Sequence, residues 1–384
     1  MSYLTEERLM IQETARRFAK EVVLPLANKL DPEKGSIPSS VVSQMAEMGW
    51  FGMFLTEQQG GLGLGAFEYC LIAEELARSW MSVSSMLARG NMMKAETLTE
   101  DQRQRWLPRM IKGEFLGAMA LSEPGTGSDL ANLACRARRV SDDTYEITGN
   151  KYWCTFADGA DYIMVFARTS EPPTPEARHV GISAFVVEKP RGELPANTQG
   201  APIPKIGYHG WKTWELAFDA CRVPAANMVG KEGRGFYMVS QGLEVARAHT
   251  AARSIGLARG AMEDAIAYAR QRVQFGQPIS EFQFTRFRVA DMAAQIEASR
   301  QLMYHVCTLI DSGKRCDKEA AMVKYLASEM SERVTSDALQ IHGGAGYTTH
   351  CAVERHWRDA RLTKIFEGTS EIQLRIISDH LFKD

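Results

Sequence analysis

The sequence of 384 residues predicts a multidomain α+β protein in which two helical regions enclose a central β region. Apolar residues recur at helical spacing in the first third, short β-rich runs fill about residues 117–224, and helical spacing returns from about residue 235. Because the strands are grouped and do not alternate with helices, separate α and β domains are favoured over a doubly wound fold. We expect domains at 1–115, 116–228 and 229–384.

The N-terminal region is predicted to be helical. Thr5 can cap a first helix, and Glu6 and Glu7 place negative charge where a helix N-terminus favours it. The apolar residues of this helix follow at helical spacing: Leu4, Ile11, Ala15, Phe18 and Val22. Three further helices are predicted over periodic segments at 38–50, 66–78 and 101–112.

The central region shows a hairpin signal. Tyr145-Glu-Ile-Thr148 leads through the turn dipeptide Gly149-Asn150 into Lys151-Tyr-Trp-Cys-Thr155. More strands are predicted at 162–166, 182–187 and 214–218, with a loop at 170–179. In the C-terminal region, apolar residues at helical spacing predict three helices, over 255–273, 289–307 and 322–334.

Composition excludes several functional classes. The net charge of −2 gives no electrostatic footprint for nucleic acid, and no apolar run reaches the roughly 18 residues of a membrane span. Seven cysteines without a C-x-x-C pair indicate reduced thiols, and the N-terminus resembles no secretory or transit signal, so we expect a cytoplasmic protein. His350, Cys351, Glu354 and His356 match no zinc spacing, so no metal is expected.

Several segments can bind a ligand or can be ordinary structure. Leu121-Ser-Glu-Pro-Gly-Thr-Gly-Ser-Asp129 is a shaped loop with open backbone N–H groups, or else a plain turn. Arg272, at a predicted helix end, can meet a pyrophosphate or merely complement the helix dipole. The glycines of 340–346 can end a helix or leave the backbone open to a ligand. Arg247 is most simply interpreted as a solvated charge on a helix.

Taken together, seven segments resemble the acyl-CoA dehydrogenase family, in family order and across the whole chain. They are LSEPGTGSD (121–129), KYWCT (151–155), FDACRVP (218–224), LEVAR (243–247), RVQFG (272–276), QIHGGAG (340–346) and FEGTSEIQ (366–373). The resemblance implies an N-terminal helical domain, a central β-barrel or sandwich domain and a C-terminal four-helix bundle. It also implies non-covalent FAD, an acyl-CoA substrate, an electron-transferring flavoprotein as acceptor, and a homotetramer built as a dimer of dimers.

The resemblance assigns cofactor contacts residue by residue. Ser122 and Ser128, with Leu121 and Gly127 of the same loop, would bond the flavin region, and Trp153 and Thr155 would lie against the isoalloxazine ring. Thr369 would hold the adenine-side half of FAD, and Glu371 belongs to the same cofactor set. The remaining members of the set would reach the FAD of the neighbouring subunit: Arg272, Phe275, Gln340 and Gly344.

The resemblance also assigns the reaction. Glu367 matches the base that takes the α-proton of the acyl thioester while the β-hydride moves to flavin N5, and the product is the trans-2-enoyl-CoA. Ile365 and Phe366 are expected to desolvate Glu367 and so to raise its basicity. Ala246 stands at the alternative base position of some relatives, so Glu367 has no competitor. Substrate contacts are expected from Arg247, Glu244, Ser128, Gly368 and Arg89.

Two places depart from the commoner family pattern. His209, Trp211 and Lys212 are bulky or basic, whereas family members usually have a small or Arg/Ser-rich stretch at this loop. Lys212 can meet a phosphate of CoA or be solvated. Arg89 falls in a segment that lines the far end of the acyl pocket. It can pair with a polar or carboxylate tail, or it can point into solvent, and of the two the sequence favours solvent.

Rival functions share the same scaffold. A flavin oxidase would pass electrons to O₂, but such acyl-CoA oxidases usually have a longer chain. A nitroalkane-oxidase-like enzyme would have Asp at the base position, and related monooxygenases often lack the base. A DNA-associated relative needs a basic C-terminal surface, and the segment 353–364 is locally basic. Acyl chain length and branching are not predictable from the sequence.

Overall fold

A computed structural model describes residues 3–383, except for the side chain of residue 241. Its N-terminal part is helical, with α1 at Glu6–Phe18, α2 at Leu24–Leu30, α3 at Ser39–Glu47, α4 at Ala66–Ser79, α5 at Met81–Gly90 and α6 at Glu100–Ile111. The predicted helices at 38–50, 66–78 and 101–112 are confirmed as α3, α4 and α6. Thr5 caps α1 as predicted, since its hydroxyl oxygen accepts a hydrogen bond from the Arg8 N–H at 3.3 Å.

The central part is one eight-stranded sheet. Its strands are β1 Gly117–Ala120, β2 Arg136–Ser141, β3 Thr144–Thr155, β4 Tyr162–Arg168, β5 Ile182–Glu188, β6 Thr198–Pro202, β7 Thr213–Pro224 and β8 Met228–Val229. The order is β6-β7-β3-β2-β4-β5-β8, and β1 pairs in parallel with β4. One set of alternate β4 residues packs inside the sheet domain, and the other set packs against α6. The strand is therefore buried on both faces.

The predicted hairpin turn at Gly149-Asn150 is wrong. β3 runs unbroken from 144 to 155, and the dipeptide lies at a bulge where the pairing with β7 shifts register between Ile147 and Gly149. Gly149 has φ 142°, and a Cβ there would lie 2.8 Å from the Cα of Cys135. The glycine therefore allows β3 to approach the residue before β2 closely, and the local sequence signal cannot distinguish this need from a turn.

The C-terminal part is helical again, with α7 at Gly235–Gln271, α8 at Gln283–Asp311, α9 at Asp317–His342, α10 at Ala352–Thr363 and α11 at Ser370–Leu381. The three predicted helices are confirmed as α7, α8 and α9. α7 packs against α8, α9 and α10, and α11 packs against α9. Two short strands, β9 Val273–Gln274 and β10 Gln277–Pro278, form a hairpin between α7 and α8. No helix within residues 3–383 is apolar over a length that would cross a membrane.

The middle of α7 is buried on every side and packs closely on α4. Residues 248–258 are all buried. A Cβ at Gly256 would lie 2.3 Å from the Glu74 carbonyl oxygen, and one at Gly260 would lie 2.7 Å from that of Arg78. These glycines let the backbones of α4 and α7 touch, and so join the N-terminal and C-terminal helical parts.

A cluster of buried ion pairs lies at the contact between α4 and α7. Arg259 of α7 lies 3.1 Å from Glu74 and 2.5 Å from Glu75 of α4, both fully buried. Arg300 of α8 lies 3.0 Å from Glu74, and Arg16 of α1 lies 3.1 Å from Glu75. Burial acts to raise the pKa of Glu75, but the hydrogen bonds and charges of Arg259 and Arg16 outweigh it and lower the pKa. The cluster therefore ties four helices together.

We expect Glu74→Gln to destabilise the fold by about 3–5 kcal/mol, because it leaves the buried guanidinium groups of Arg259 and Arg300 without a full counter-charge. Urea unfolding followed by circular dichroism measures the loss. The matched control is Glu13→Gln, which removes an exposed ion pair with Arg16 and should cost about 0–1 kcal/mol. Equal losses in the two variants would contradict a structural role of the cluster.

Candidate active site

The loop 121–129 is anchored by a buried ion pair. The Glu123 carboxylate accepts hydrogen bonds from the backbone N–H groups of Ala134 at 2.7 Å and Cys135 at 2.9 Å. It also pairs with Lys151 of β3 at 2.8 Å, and Lys151, fully buried, donates to the Leu121 carbonyl at 3.1 Å. The predicted ligand loop is therefore held on β3 rather than free.

The anchored loop presents open polar groups. The Ser122 carbonyl accepts from the Tyr152 N–H at 2.8 Å, whereas Gly127 and Ser128 are exposed. A Cβ at Gly127 would meet nothing within 4 Å. The Thr126 hydroxyl is buried without a hydrogen-bond partner in the described residues. The open space at Gly127 and the unpaired hydroxyl of Thr126 make this loop suitable for a polar ligand.

The end of β3 presents an aromatic surface. Trp153 has φ 63°, and 55% of its surface is exposed. A non-glycine residue in this region of backbone space is uncommon and places the indole where a regular strand would not. Thr155 lies two residues further, with its hydroxyl 3.1 Å from that of Thr213 on β7. The strand thus offers an exposed indole and a hydroxyl close together in sequence.

A chain of aromatic contacts joins this strand to the turn that carries Glu367. Phe156 contacts Trp211 with ring centroids 5.7 Å apart, and Trp211 contacts Tyr208 at 5.3 Å. Tyr208 in turn meets the ring of Phe366 edge-on at 5.9 Å. The Lys205 ammonium donates to the carbonyls of Tyr208 and Trp211, which fixes the loop between them.

Glu367 lies in the turn between α10 and α11 with a left-handed backbone, φ 55°. Its Oε2 accepts a hydrogen bond from Arg253 Nη2 at 2.7 Å and one from the hydroxyl of Thr250, both on α7. No hydrogen bond to its Oε1 or to its backbone N–H occurs within residues 3–383. The carboxylate is therefore held by one oxygen and leaves the other available.

The surroundings of Glu367 differ from the expected apolar pocket. Its side chain is 32% exposed, and Ile365 is 51% exposed and turned to the surface. Phe366 packs inward, under the Arg253 guanidinium at 4.7 Å. The expectation that Ile365 desolvates Glu367 is wrong, because the turn directs consecutive side chains to opposite sides. The Arg253 guanidinium and the Thr250 hydroxyl contact the carboxylate where apolar side chains were expected.

Buried polar groups hold this turn in place. Lys324 of α9, fully buried, donates to the Gly368 carbonyl at 2.6 Å, and Gln373 donates to the same oxygen at 3.0 Å. Burial lowers the pKa of Lys324 to about 8. Gly368 has φ 90°, and Thr369 caps α11 by accepting from the Ile372 N–H at 3.3 Å. The left-handed conformation at Glu367 is therefore determined by its neighbours.

Arg247 is buried, so the interpretation of this residue as a solvated helix charge is wrong. It is 5% exposed, and its Nε and Nη1 have no hydrogen-bond partner in the described structure. Asp317 lies 3.9 Å away, and burial lowers the pKa of Arg247. Glu244 accepts from the Cys316 N–H at 2.8 Å and so has a structural bond. Arg247 thus offers unused donors to an anionic ligand.

Other predicted residues lie apart from Glu367. Four are exposed around the α7–α8 hairpin and the end of α9: Arg272, Phe275, Gln340 and Gly344. No hydrogen bond, ion pair or ring contact joins them to Glu367 or to the loop 121–129 in the described part of the chain. Phe275, at the hairpin tip with φ 50°, is 95% exposed. Glu371 is exposed in the first turn of α11.

The two segments that depart from the family pattern differ in their exposure to solvent. Lys212 lies 3.7 Å from Asp158 and is largely exposed, whereas His209 and Trp211 are buried. Arg89 turns inward: its Nε is buried and without a hydrogen-bond partner, and its guanidinium lies 5.3 Å from the Trp211 ring centroid. The preference for a solvent-facing Arg89 is therefore wrong.

Sequence reasoning missed Thr250, Arg253 and Lys324. Arg253 is the one charged residue of 248–258, a run of small and apolar side chains, and that isolation was the available signal. A lone charge within such a run needs a partner when buried. No group of three or more metal-ligating side chains is found within the described residues, where His356 faces Asp264 and Glu354 pairs with Arg358.

Comparison with known proteins identifies the family. The chain matches the N-terminal, middle and C-terminal domain models of acyl-CoA dehydrogenase over residues 5–114, 118–221 and 233–382. It is 38% identical to an acyl-CoA dehydrogenase of Bacillus subtilis over 99% of both chains. It is 39% identical to (2S)-methylsuccinyl-CoA dehydrogenase of Cereibacter sphaeroides, over 99% of this chain and 70% of that protein.

Structural comparison agrees with the sequence matches. Butyryl-CoA dehydrogenase from Megasphaera elsdenii superposes with a TM-score of 0.91 and 34% identity over 99% of both chains. The predicted fold and the predicted family are confirmed. The chain belongs to the acyl-CoA dehydrogenase family, FAD-dependent oxidoreductases that act on CH–CH bonds, and its activity is acyl-CoA dehydrogenation.

Proposed function

We propose that Glu367 is the catalytic base that removes the α-proton of the acyl-CoA thioester and so produces the trans-2-enoyl-CoA. The observation that carries this proposal is the asymmetric binding of its carboxylate. Arg253 and Thr250 hold Oε2, whereas Oε1 is free and the side chain is partly exposed. A base must lie within hydrogen-bond reach of the proton it takes, and a fixed carboxylate with one free oxygen meets that need.

The turn also supplies a donor for the thioester carbonyl. As the α-proton leaves, negative charge develops on that oxygen, and a correctly placed N–H group stabilises it. The backbone N–H of Glu367 makes no hydrogen bond within the described residues. We assign this N–H to the thioester carbonyl and Arg247 to the CoA portion, with Glu244, Ser128 and Gly368 in the same substrate site.

The residues of the β domain fit FAD. The loop of Leu121, Ser122, Gly127 and Ser128 has open backbone and stands beside the unused Thr126 hydroxyl. The exposed Trp153 indole suits stacking on a flat ring, with Thr155 beside it. Thr369 and Glu371, at the N-terminus of α11, would hold its adenine-side half. FAD, when bound, accepts the β-hydride; the protein supplies position and electrostatics.

We expect Glu367→Gln to keep yellow, FAD-loaded protein and to lower the rate of flavin bleaching by an acyl-CoA by at least about 10²–10⁴-fold, because the α-proton then has no acceptor. Anaerobic stopped-flow absorbance measures this rate. Glu193→Gln, at an exposed glutamate of the β domain, is the matched control and should bleach at the wild-type rate. Bleaching of Glu367→Gln within a few-fold of wild type would remove Glu367 from its role.

A neighbouring subunit is proposed to complete the cofactor site, in a dimer of dimers. Support comes from exposed aromatic side chains close to Arg272 in sequence: Phe275, Phe284 and Phe287, with Tyr347 following Gln340 and Gly344. Such a concentration of exposed apolar residues is typical of an interaction surface. The same four predicted residues, Arg272, Phe275, Gln340 and Gly344, would then reach the partner's FAD.

We expect Phe275→Asp to shift the protein to smaller species and to lose FAD on dilution, since a charge at the hairpin tip opposes burial against a partner. Sedimentation velocity, with the ratio of flavin to protein absorbance in each species, gives both results. Met10→Asp places the same charge on an exposed apolar residue of α1 and should change neither. A Phe275→Asp tetramer with full FAD would exclude the hairpin from the interface.

The electron acceptor is proposed to be an electron-transferring flavoprotein, in the cytoplasm. The free thiols of all seven cysteines support a reducing compartment. An oxidase is the rival, and comparison of O₂ uptake with reduction of an added electron-transferring flavoprotein separates the two. For a DNA-associated role, the basic residues of α10 would need to be unpaired. Arg358 instead pairs with Asp31 and Glu354, and Arg361 with Glu332.

A further inference from the structure

A second cationic side chain lies near the Glu367–Arg253 pair and has no counter-ion. Arg89 of α5 stacks over Trp211, and its buried Nε has no hydrogen-bond partner. Within residues 3–383, no carboxylate lies at ion-pair distance from its guanidinium. An inward-facing cation without an anion is costly, so the site favours a ligand that brings a negative charge.

The guanidinium groups of Arg89 and Arg253 lie along the same helix face and the same aromatic side chains. Ser85 lies one helical turn before Arg89 on α5, and its hydroxyl accepts from Arg253 Nη1 at 2.8 Å. The opposite wall is aromatic: Tyr208 contacts both Trp211, under Arg89, and Phe366, under Arg253. One helix face and one aromatic wall therefore connect the two cations with Glu367.

Three polar side chains beside the two guanidinium groups are neutral, and the Lys205 ammonium behind the aromatic wall adds a further positive charge. Burial, together with the positive charges of Arg253 and Arg89, holds the pKa of His249 well below its usual value, so its imidazole is uncharged. Burial raises the pKa values of Tyr69 and Tyr208, so both phenols keep their protons. The His249 Nε2 is buried without a partner. Within residues 3–383, Glu367 is the one carboxylate at ion-pair distance from Arg253, and no carboxylate lies at that distance from Arg89, so the charge of Arg89 is left unbalanced.

We propose that the substrate is the CoA thioester of a short dicarboxylic acid, whose free carboxylate binds between Arg89 and Arg253. The inference rests on the proposed function, because Glu367 determines where the α-carbon lies. A reacting carbon must lie about 3–3.5 Å from the base, and Arg253 is one hydrogen bond from that base. Ser85, the α5 residue that Arg253 contacts, lies four residues before Arg89, about 6 Å along the helix axis.

The proposal expects a short acid. In the proposed arrangement the tail carboxylate lies a few bonds beyond the β-carbon, so that it reaches the guanidinium groups while the α-carbon stays at Glu367. A longer tail would carry its charge past Arg89, and an alkyl tail would bury Arg89 against methylene groups without a hydrogen bond. The tail carboxylate undergoes no bond change in the reaction; its role is recognition.

A substrate panel tests the proposal directly. The FAD-loaded enzyme is assayed with succinyl-, methylsuccinyl-, glutaryl- and adipyl-CoA and with butyryl- and valeryl-CoA, using an artificial electron acceptor. We expect one of the short dicarboxylic thioesters to have the highest kcat/KM, with loss of activity towards adipyl-CoA. Preference for butyryl- or valeryl-CoA would overturn the proposal while leaving the dehydrogenase reaction intact. Failure of every thioester to bleach the flavin would instead overturn the proposed function.

Substitution of Arg89 tests the binding site. Arg89→Met should lower the ratio of kcat/KM for the dicarboxylic substrate to kcat/KM for butyryl-CoA by about 10–100-fold, because a charge-assisted hydrogen bond to the tail is lost. Arg89→Lys, which keeps the charge, should recover part of the loss. Arg109→Met is the matched control, because Arg109 also lies over an aromatic ring, that of Phe115 at 4.5 Å.

Binding without turnover supplies a second measurement. Thiodiglycolyl-CoA, in which sulfur replaces the β-methylene of glutaryl-CoA, cannot be dehydrogenated at that position, and calorimetry gives its dissociation constant. We expect Arg89→Met to weaken its binding by about 10–100-fold relative to the Arg109→Met control. Equal affinity in the two variants would show that Arg89 does not bind the tail carboxylate.

Discussion

The buried cluster of Glu74 and Glu75 with Arg259 and Arg300 is the interaction on which the helical parts of this protein depend. It fixes α4 against α7 and α8 where Gly256 and Gly260 allow the helix backbones to touch. α5 follows α4 after a single extended residue, Trp80, so the position of α4 also determines that of α5. The contact of Ser85 with Arg253 is thus a consequence of charges buried elsewhere.

The site around Glu367 draws on all three parts of the chain. α5 supplies Ser85 and Arg89, the loop before β7 supplies Tyr208 and Trp211, and α7 supplies Thr250 and Arg253. Glu367 itself lies on a strained turn, which Lys324 and Gln373 hold through the Gly368 carbonyl. A left-handed residue other than glycine persists where its surroundings determine it, and here that residue is the proposed base.

Much of this arrangement was predictable from the sequence. Helical periodicity identified α3, α4, α6, α7, α8 and α9, and the motif order identified the family. The errors share a physical cause. Gly149 and Ile365 were interpreted from adjacent residues, but the packing of Gly149 on Cys135 and the direction of Ile365 depend on distant chain. Arg253 and Lys324 were missed because their partners follow more than forty residues later in the chain.

The continuity of α7 has a mechanical consequence. One unbroken helix carries Arg247, Thr250 and Arg253 near its middle and ends at Gln271, beside the hairpin with the exposed Phe275. From Arg253 to Gln271 it spans about 27 Å, at about 1.5 Å per residue. Because the helix is continuous, Arg253, the partner of the proposed base, and the hairpin lie on one rigid element. A stiff helix therefore connects the outer surface of the protein with the turn that carries Glu367.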